Sequence, residues 1–482
     1  MVKSNILPIF YRVRKILAEV GQEKNIEKIR MEARLNEDLG IDSFGAIEAI
    51  FKLEDEFEIT VSERDFSSIK TVKDVVDYIE SVIERKALRK EEGSKEFYDS
   101  LYIDKSEAEE IKFNPYYKLV QSGLGRKILI EGRELISLGS NDYLGLANNE
   151  QIKQKVKEAI EKYGISMCGT PIVVGQTDIN RKLELKIAEF LKQEDAILFP
   201  SGFQANIEIF NVLATSQDLI IADKNIHSSL IQGIALSKAK PRFFPHNDVL
   251  TLEKILKSSQ GYRIKFIVVE GLYSTEGNTS SLDIIIELSK KYNAFVILDD
   301  AHGIGVLGKE GRGVMERFNI FDIDLVSGSL GKALGCFGGF LAGKKKFIDY
   351  FRYKLPSYIY STALPPSIVA ACLASLDIVR DLNQARQIIL RYKEKLYENL
   401  KKMGYNLTRS TTPLFSIIFE SSKKTLQITK VLFERGVYVT PFLPPSVPKE
   451  SPRIRLIPTV NLQEEDIEQV IEVFREIKIK YL

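Results

Sequence analysis

Hydrophobic positions change rhythm twice along this chain. Over residues 1 to about 84, Leu17, Ile26, Ile47, Ile50, Phe51, Leu53 and Phe57 recur at helical spacings, and Val72, Val75, Val76 and Ile79 mark a last amphipathic helix. No period-two alternation interrupts them, so a separate helical unit is expected there. A charged stretch follows, ERKALRKEEGSKE from Glu84 to Glu96, with little to bury. It reads as a linker.

From about residue 124 the pattern becomes mixed. KILIEGRELISL alternates around Glu131-Gly132 as a β-hairpin does. Short apolar runs then alternate with helical patterns: AILF (196–199), LIIA (219–222), FIVV (266–269), FVIL (295–298), DLVS (324–327) and FLA (340–342). That alternation predicts a mostly parallel sheet covered by helices on both faces, with ligands at the C-terminal ends of its strands. After Pro356 two long helical patterns precede a smaller α/β mixture of LFSIIFE (414–420), VYVTPF (437–442), RIRLI (453–457) and a final helix from Glu464 to Lys478. The expected division is a helical unit over 1–84, a linker over 85–110, a large domain with an N-terminal arm over 111–355, and a small C-terminal domain over 356–482.

Composition narrows the field. At 482 residues two or three domains are expected. Lys+Arg 68 against Asp+Glu 66 nearly cancel, so no strong field draws in nucleic acid or an anionic membrane. No apolar run approaches the ~18–20 residues of a membrane span, and the N-terminus lacks the apolar core and cleavage site of a signal peptide. Cys168, Cys336 and Cys372 form no CxxC pair, which fits a reducing cytoplasm and supports neither a disulfide framework nor a metal site.

Candidate chemistry concentrates between Phe295 and Gly335. An apolar run ends in Asp299 and Asp300, with His302 close behind, and a second run delivers Lys332 beside Gly331. Pyridoxal phosphate needs such groups: a carboxylate for the ring nitrogen, a donor for the ring oxygen, and an amine for the aldehyde. Upstream, Ser201-Gly202-Phe203 follows AILF and opens a helix, whose first amides suit a phosphate. In the first unit, Leu39-Gly40-Ile41-Asp42-Ser43-Phe44 opens another helix; Asp42 and Ser43 would serve simply as helix-entry residues. Glu48, Glu54, Asp55, Glu56 and Glu58 give that helix an acidic surface.

Residues 8–84 resemble an acyl carrier protein, with Phe44 where Leu is usual. That resemblance implies a four-helix all-α bundle and a 4′-phosphopantetheine arm on Ser43, added by a phosphopantetheinyl transferase and charged by an acyl-loading enzyme. The rest resembles the α-oxoamine synthases, fold-type-I pyridoxal-phosphate enzymes that condense a small amino acid with an acyl thioester and release carbon dioxide. The matching segments are SNDYLGL (140–146), FPSGFQAN (199–206), DKNIHSSLIQG (223–233), VVEGLYSTEGNTSSL (268–282), LDDAHGIGVLG (298–308), SGSLGKALG (327–335), YSTALPP (360–366) and PRIRL (452–456).

This resemblance implies an α/β fold with a mixed, mostly parallel seven-stranded sheet and a smaller C-terminal α/β domain. It makes Lys332 the Schiff-base lysine, Asp299 the partner of the ring nitrogen, His302 the donor to the ring oxygen and His227 the ring that stacks on the cofactor. Asp300 would be structural, as a helix cap or hydrogen-bonding partner. Ser201, Gly202, Phe203, Ser274 and Ser329 fall at cofactor contacts, and Thr362 at a phosphate contact supplied by the neighbouring subunit, so a homodimer with shared sites is implied. Arg455 would grip the substrate carboxylate, with Asn141 and Glu270 on the wall of the site. Arg453 is expected to face the other side of its strand, as a structural or solvent-facing residue, and His246 matches no motif and is read as structural.

The activity implied is decarboxylative condensation of serine, glycine or alanine with an acyl group carried on Ser43, giving an α-amino ketone. GISMCGTPIVVGQ (164–176) resembles the loop of serine-using long-chain-base synthases, whereas GQTDINRKLE (175–184) also resembles glycine users. Competing readings are an enzyme using acyl-coenzyme A with a regulatory or vestigial carrier, another fold-type-I enzyme such as an aminotransferase, a silent partner subunit, and a carrier adaptor. An aminotransferase would share Lys332 and Asp299 but leave the carrier unexplained, silent subunits typically lack the lysine, and an adaptor leaves everything beyond residue 84 unexplained.

Overall fold

The structure, a computed structural model, describes residues 6–21, 23, 25–41, 43–59, 61, 69–84 and 106–482, with backbone alone for 6–8, 43–48, 51, 106 and 107. The chain separates into two compact units, Met1–Lys105 and Ser106–Leu482.

In the first unit helices span Ile6–Val20, Ser43–Phe57 and residues 72–84. Val13, Leu17, Leu53, Val72, Val75, Val76 and Ile79 make its core, each from the buried stripe of its helix. Leu39 and Ile41 are buried on either side of Gly40, whose φ of 63° turns the chain toward the helix that begins at Ser43. Asp42, the side chains of Ser43 and Glu48, the rest of the expected four-helix set and the linker over 85–105 lie outside what is described. Residues 106–111 correct the linker's end. They form a short helix held to the helix Ser422–Glu434 by a Lys423–Glu110 ion pair of 2.6 Å and a bond of 2.9 Å from Lys430 Nζ to the Ile111 carbonyl.

The second unit opens with the hairpin β1 (Lys127–Ile130) and β2 (Arg133–Ser137). Glu131 and Gly132 both take positive φ, 49° and 76°, as a two-residue hairpin turn demands. Seven strands then form the main sheet: β3 (Asp195–Phe199), β4 (Leu219–Asp223), β5 (Lys240–Phe244), β6 (Lys265–Glu270), β7 (Phe295–Asp299), β8 (Leu325–Ser329) and β9 (Gly339–Gly343). Their order is β3-β9-β8-β7-β6-β4-β5, and only the pairs involving β9 are antiparallel. Alternate residues feed opposite layers. Ile267, Val269, Val296 and Leu298 pack on one side, Phe266, Val268 and Ile297 on the other, which is why these strands read as unbroken apolar runs.

β5 has no apolar run of its own. KPRFF lies at the sheet's edge, mostly exposed, with Pro241 tolerated because an edge strand has a side without partners.

β10 (Phe415–Ile418), β12 (Thr440–Phe442) and β13 (Arg453–Leu456) form a small sheet, while β11 (Val437–Tyr438) pairs in parallel with β2. The expected boundary between residues 355 and 356 is not where the cores part. Val369, Cys372, Leu376 and Val379, on the helix Pro366–Val379, pack into the main core, whereas Ile136 and Leu138 belong to the C-terminal one. The strand pairing of β2 draws the hairpin across, and the apolar face of the helix Pro366–Val379 is buried against the helices of the large sheet.

Candidate active site

β6 and β7 end together, and β8 runs two residues further. Register sets Glu270 opposite Asp299 and Asp299 opposite Ser327, so three polar side chains meet at one edge of an otherwise apolar sheet. They border a cavity of about 290 Å³, at the lower end of the ~300–1,000 Å³ typical of small-molecule sites. Ser201, Gly202, Phe203, His227, His302, Ser329 and Lys332 complete the set of expected residues that line it.

Asp299 is held from two sides. Its Oδ2 accepts from Asn206 Nδ2 at 2.7 Å and its Oδ1 from the Ala301 amide at 3.0 Å. Asn206 Nδ2 also donates to Ser229 Oγ at 3.0 Å, and Ser229 Oγ lies 2.7 Å from His227 Nδ1. The Ser229 amide donates to the same Nδ1, so this nitrogen accepts and the proton of the neutral ring belongs on Nε2. Burial lowers the His227 pKa, with Lys332 adding to the effect and Asp299 opposing it. The ring is open to the cavity and stands edge-on to Phe203 at 6.3 Å.

His302 is buried, and its pKa falls well below the ordinary value, first through burial and then through the charges of Lys332, Arg455 and His227. The Tyr143 hydroxyl lies 3.0 Å from its Nδ1. With the neutral ring accepting from Tyr143, Nε2 carries the proton and is the donor. Tyr143 reaches this position because Asp142 Oδ1 accepts from the Leu146 and Ala147 amides, folding SNDYLGL into a tight turn.

Lys332 is partly exposed through the cavity it lines, yet burial of its amine brings the pKa down to about 8; Asp299 and Glu270 oppose that shift and Arg455 adds to it. Glu270 is buried and pushed well above the usual carboxylate range, chiefly by burial and then by Asp299. Asp300, next to the site carboxylate, turns away. Its Oδ2 accepts from the Val314 amide at 2.7 Å at the start of the helix Val314–Phe318, the capping role open to it from the sequence. A Cβ at Gly303 or Gly313 would come within 2.0 and 1.9 Å of its carboxylate, so those positions leave it room.

Pyridoxal phosphate fits these residues. Among the described residues, Glu270 Oε1, Ser327 Oγ and Asn206 Oδ1 are buried at the cavity without a partner, an expensive state in a closed protein and a sensible one beside a polar ligand. Ser201 Oγ caps the helix Gly202–Leu213 through the Gln204 amide. That leaves the helix's first amides for an anion. A Cβ at residue 339 would sit 2.3 Å from the Gly202 amide nitrogen, so glycine there lets the backbone come close.

Arg455 lies outside the cavity lining, buried on β13. Its Nη1 donates to the Ser274 carbonyl at 3.1 Å and its Nη2 to Asn141 Oδ1 at 3.2 Å, and no carboxylate among the described residues pairs with it. Phe442 covers the guanidinium at 4.7 Å. Arg453 departs from expectation. Residues two apart on a strand share a face, and Arg453 is buried, with Nη1 on Glu276 at 2.6 Å and further bonds to Ser451. Ser274 thus meets Arg455 through its carbonyl, and Asn141 through its amide; neither borders the cavity. Thr362 lines a separate small recess with Glu184 and Tyr358. Ser43 belongs to the other unit.

Three contributors escape a reading of the sequence: Asn206, Ser229 and Tyr143. All three sit inside quoted motifs, and Asn206 falls one helical turn beyond Gly202, a spacing that would have pointed it to the same side of the helix.

Two family models match the chain: phosphopantetheine attachment site over residues 12–79 and aminotransferase class I and II over residues 133–474. The 8-amino-7-oxononanoate synthase of Thermoanaerobacter pseudethanolicus is 35% identical over 378 residues, covering 77% of this chain and 96% of that protein. Its counterpart 8-amino-7-oxononanoate synthase 1 of Bacillus subtilis is 34% identical over 364 residues, or 74% and 91%. Among solved structures, the serine palmitoyltransferase of Sphingomonas wittichii superposes with a TM-score of 0.71 at 29% identity, over 75% of this chain and 92% of that one. The 8-amino-7-oxononanoate synthase of Francisella tularensis gives 0.63 at 31%, over 72% and 99%.

Proposed function

We propose the following for a chain that belongs to the α-oxoamine synthase branch of the aminotransferase class I and II family: it condenses a small amino acid with an acyl group delivered on its own carrier unit. The family is made of pyridoxal-phosphate-dependent acyltransferases, and a phosphopantetheine attachment domain precedes the catalytic unit here. The names of the relatives point to one product class. 8-Amino-7-oxononanoate carries its amine beside a ketone and a terminal methyl, the pattern that alanine leaves. Serine palmitoyltransferase joins serine to an acyl group.

Arg455 carries the reading. This buried guanidinium, held by a carbonyl and an amide oxygen and paired with no carboxylate among the described residues, would receive the substrate's carboxylate, for which its planar fork suits bidentate capture. Lys332 would attach the aldehyde and, once displaced, move the proton at the amino acid's Cα; a pKa of about 8 suits an amine to both tasks near neutrality. Asp299, steadied by Asn206 and Ala301, would hold a proton on the ring nitrogen, and His302 would donate from Nε2 to the ring oxygen. His227 would cover the ring face, while Ser201, Gly202, Phe203 and Ser329, with Thr362 of a second copy, would bind the phosphate. When bound, the cofactor supplies an electron sink for charge developing at Cα. Asn141 would orient Arg455, and Glu270 would line the wall of the site beside Lys332.

Ser43 would bear the phosphopantetheine arm. Tethering the donor gives an effective concentration of roughly millimolar for a flexible connection. The test offers glycine, L-alanine and L-serine separately to acyl-loaded enzyme and identifies the amino ketone by mass. Ser43→Ala should block arm attachment, keep cofactor and lose condensation from the carrier, with part of it restored by loaded 1–84 unit added in trans. If Ser43→Ala condenses acyl-coenzyme A as fast as the parent, and loading gains the parent nothing, the carrier is regulatory or vestigial.

A further inference from the structure

His246 is the one histidine outside the cavity, and its surroundings are more organised than a filler's. Both ring nitrogens are engaged. Nδ1 lies 3.1 Å from each oxygen of Asp223, at the buried end of β4, and Nε2 lies 3.0–3.1 Å from the side-chain amide of Asn278. Next to it, the Asn247 amide donates to Asp223 Oδ2 at 2.9 Å and Asn247 Nδ2 to the Thr279 carbonyl at 3.0 Å. Tyr273 packs edge-on against the imidazole at 4.4 Å. Burial pulls the His246 pKa down, but Asp223, Asn278 and Glu276 outweigh it and leave it raised.

Asp223 anchors the pair to β4, and the contacts to Tyr273, Asn278 and Thr279 all fall on residues 273–279. That segment is also the one that meets both arginines of β13: the Ser274 carbonyl accepts from Arg455, and Glu276 pairs with Arg453. Its opposite side is held by β10 and the loop before it, through Ser416 Oγ on the Thr275 carbonyl at 2.7 Å and Thr412 Oγ1 on the Gly277 carbonyl at 2.8 Å. On the side of the large sheet, Glu270 at the end of β6 accepts from the Ser274 amide, and His246 and Asn247 tie the far end of the segment, at Asn278 and Thr279, to the end of β4.

We propose that His246 is a positioning residue for substrate: by pinning residues 273–279 to the end of β4 it fixes the Ser274 carbonyl, and through it the aim of Arg455 at the amino acid's carboxylate. This rests on the reading of Arg455 as the carboxylate receptor. His246 touches neither cofactor nor substrate. Its removal therefore loosens amino-acid binding and spares the cradle around Asp299.

The test uses full-length holoenzyme and His246→Ala, with glycine, L-alanine and L-serine titrated by cofactor absorbance and by turnover. The amino-acid KM should rise about 3- to 30-fold, the range for side chains acting on a site through a packed network. Cofactor affinity and kcat should stay near the parent's. His246→Gln, which can still reach Asp223, should recover part of the loss. Asn278→Ala cuts the same tie from its other end and should reproduce the split, which keeps the test open if His246→Ala folds poorly. In an Arg455→Ala background, His246→Ala should add little, because the residue acts through the one already missing. An unchanged KM, a fall in kcat with lost cofactor, or full additivity with Arg455→Ala overturns the proposal. If Arg455→Ala itself leaves KM unchanged, it is the carboxylate reading that fails.

Discussion

Asp299 and Arg455 come to one region of the catalytic unit by different routes. Asp299 is the last residue of β7, and parallel pairing sets it beside Glu270 and Ser327. Arg455 sits in the middle of the short strand β13 and is aimed by Asn141, far away in sequence, and by a carbonyl of the 273–279 segment. One half of the site is fixed by sheet register and the other by side chains reaching between loops. Register is rigid because slipping it by one residue would move every side chain to the opposite, differently packed face of the sheet. A loop-built half depends on each tie, so substitutions around Arg455 should spread further than those around Asp299.

The largest effect tests the cradle. Lys332→Ala should abolish turnover and leave no cofactor fixed by borohydride reduction, with the fold intact by circular dichroism. A borohydride-fixed cofactor in that variant would move the attachment site elsewhere. The chain has no tryptophan, so cofactor absorbance is an uncluttered reporter.

On the other half, Arg455→Ala should weaken amino-acid binding by about 2–5 kcal/mol, the cost of stripping one partner from a buried charge pair, while cofactor binding holds. Arg453→Ala gives the contrast. Its guanidinium is already paired with Glu276, so the expected loss is in thermal stability, with at most a secondary rise in amino-acid KM through the shared segment. Equal KM effects from the two variants would erase the distinction between receptor and clasp.

The same division governs what could be read in advance. The apolar runs, the hairpin at Glu131-Gly132 and the residues at strand ends follow from local pattern, because a strand buried on both faces has no polar position until it ends. β5 was invisible because an exposed edge strand needs no apolar run. The chain from His227 through Ser229 and Asn206 to Asp299 could not be read either, since no period links residues that only the sheet brings together. Arg453 was misjudged by treating residues two apart as opposite-facing, when a strand's side chains alternate at every residue.

Two adjacent aspartates sharpen the comparison within one strand end. Asp299→Asn should cut turnover by about 10²-fold or more, as loss of a group aimed at developing charge does, without shifting thermal unfolding much. Asp300→Ala should do the reverse, costing about 1–2 kcal/mol of stability through the uncapped Val314 amide, with cofactor absorbance unchanged. A variant of Asp300 that folds well but loses cofactor would place it in the cradle.

The smallest expected effect is a shift in a pH profile, and it probes how the two halves speak to each other. An amine attacks an aldehyde only when neutral. With burial holding Lys332 at about 8, the rate at which cofactor-free enzyme takes up pyridoxal phosphate covalently should climb about tenfold per pH unit below that value and level off above it. An unperturbed lysine would keep climbing to about 10.4. Arg455 is one of the charges that lower Lys332; removing a positive neighbour makes the ammonium easier to keep, so in Arg455→Ala the plateau should move to higher pH. His246→Ala leaves the charge of Arg455 in place and should leave the plateau where it was. A plateau near 10 in the parent would mean that Lys332 is solvated as an ordinary surface lysine. A plateau that ignores Arg455→Ala would mean that the register-built and loop-built halves are electrostatically independent, and that only the bound amino acid joins them.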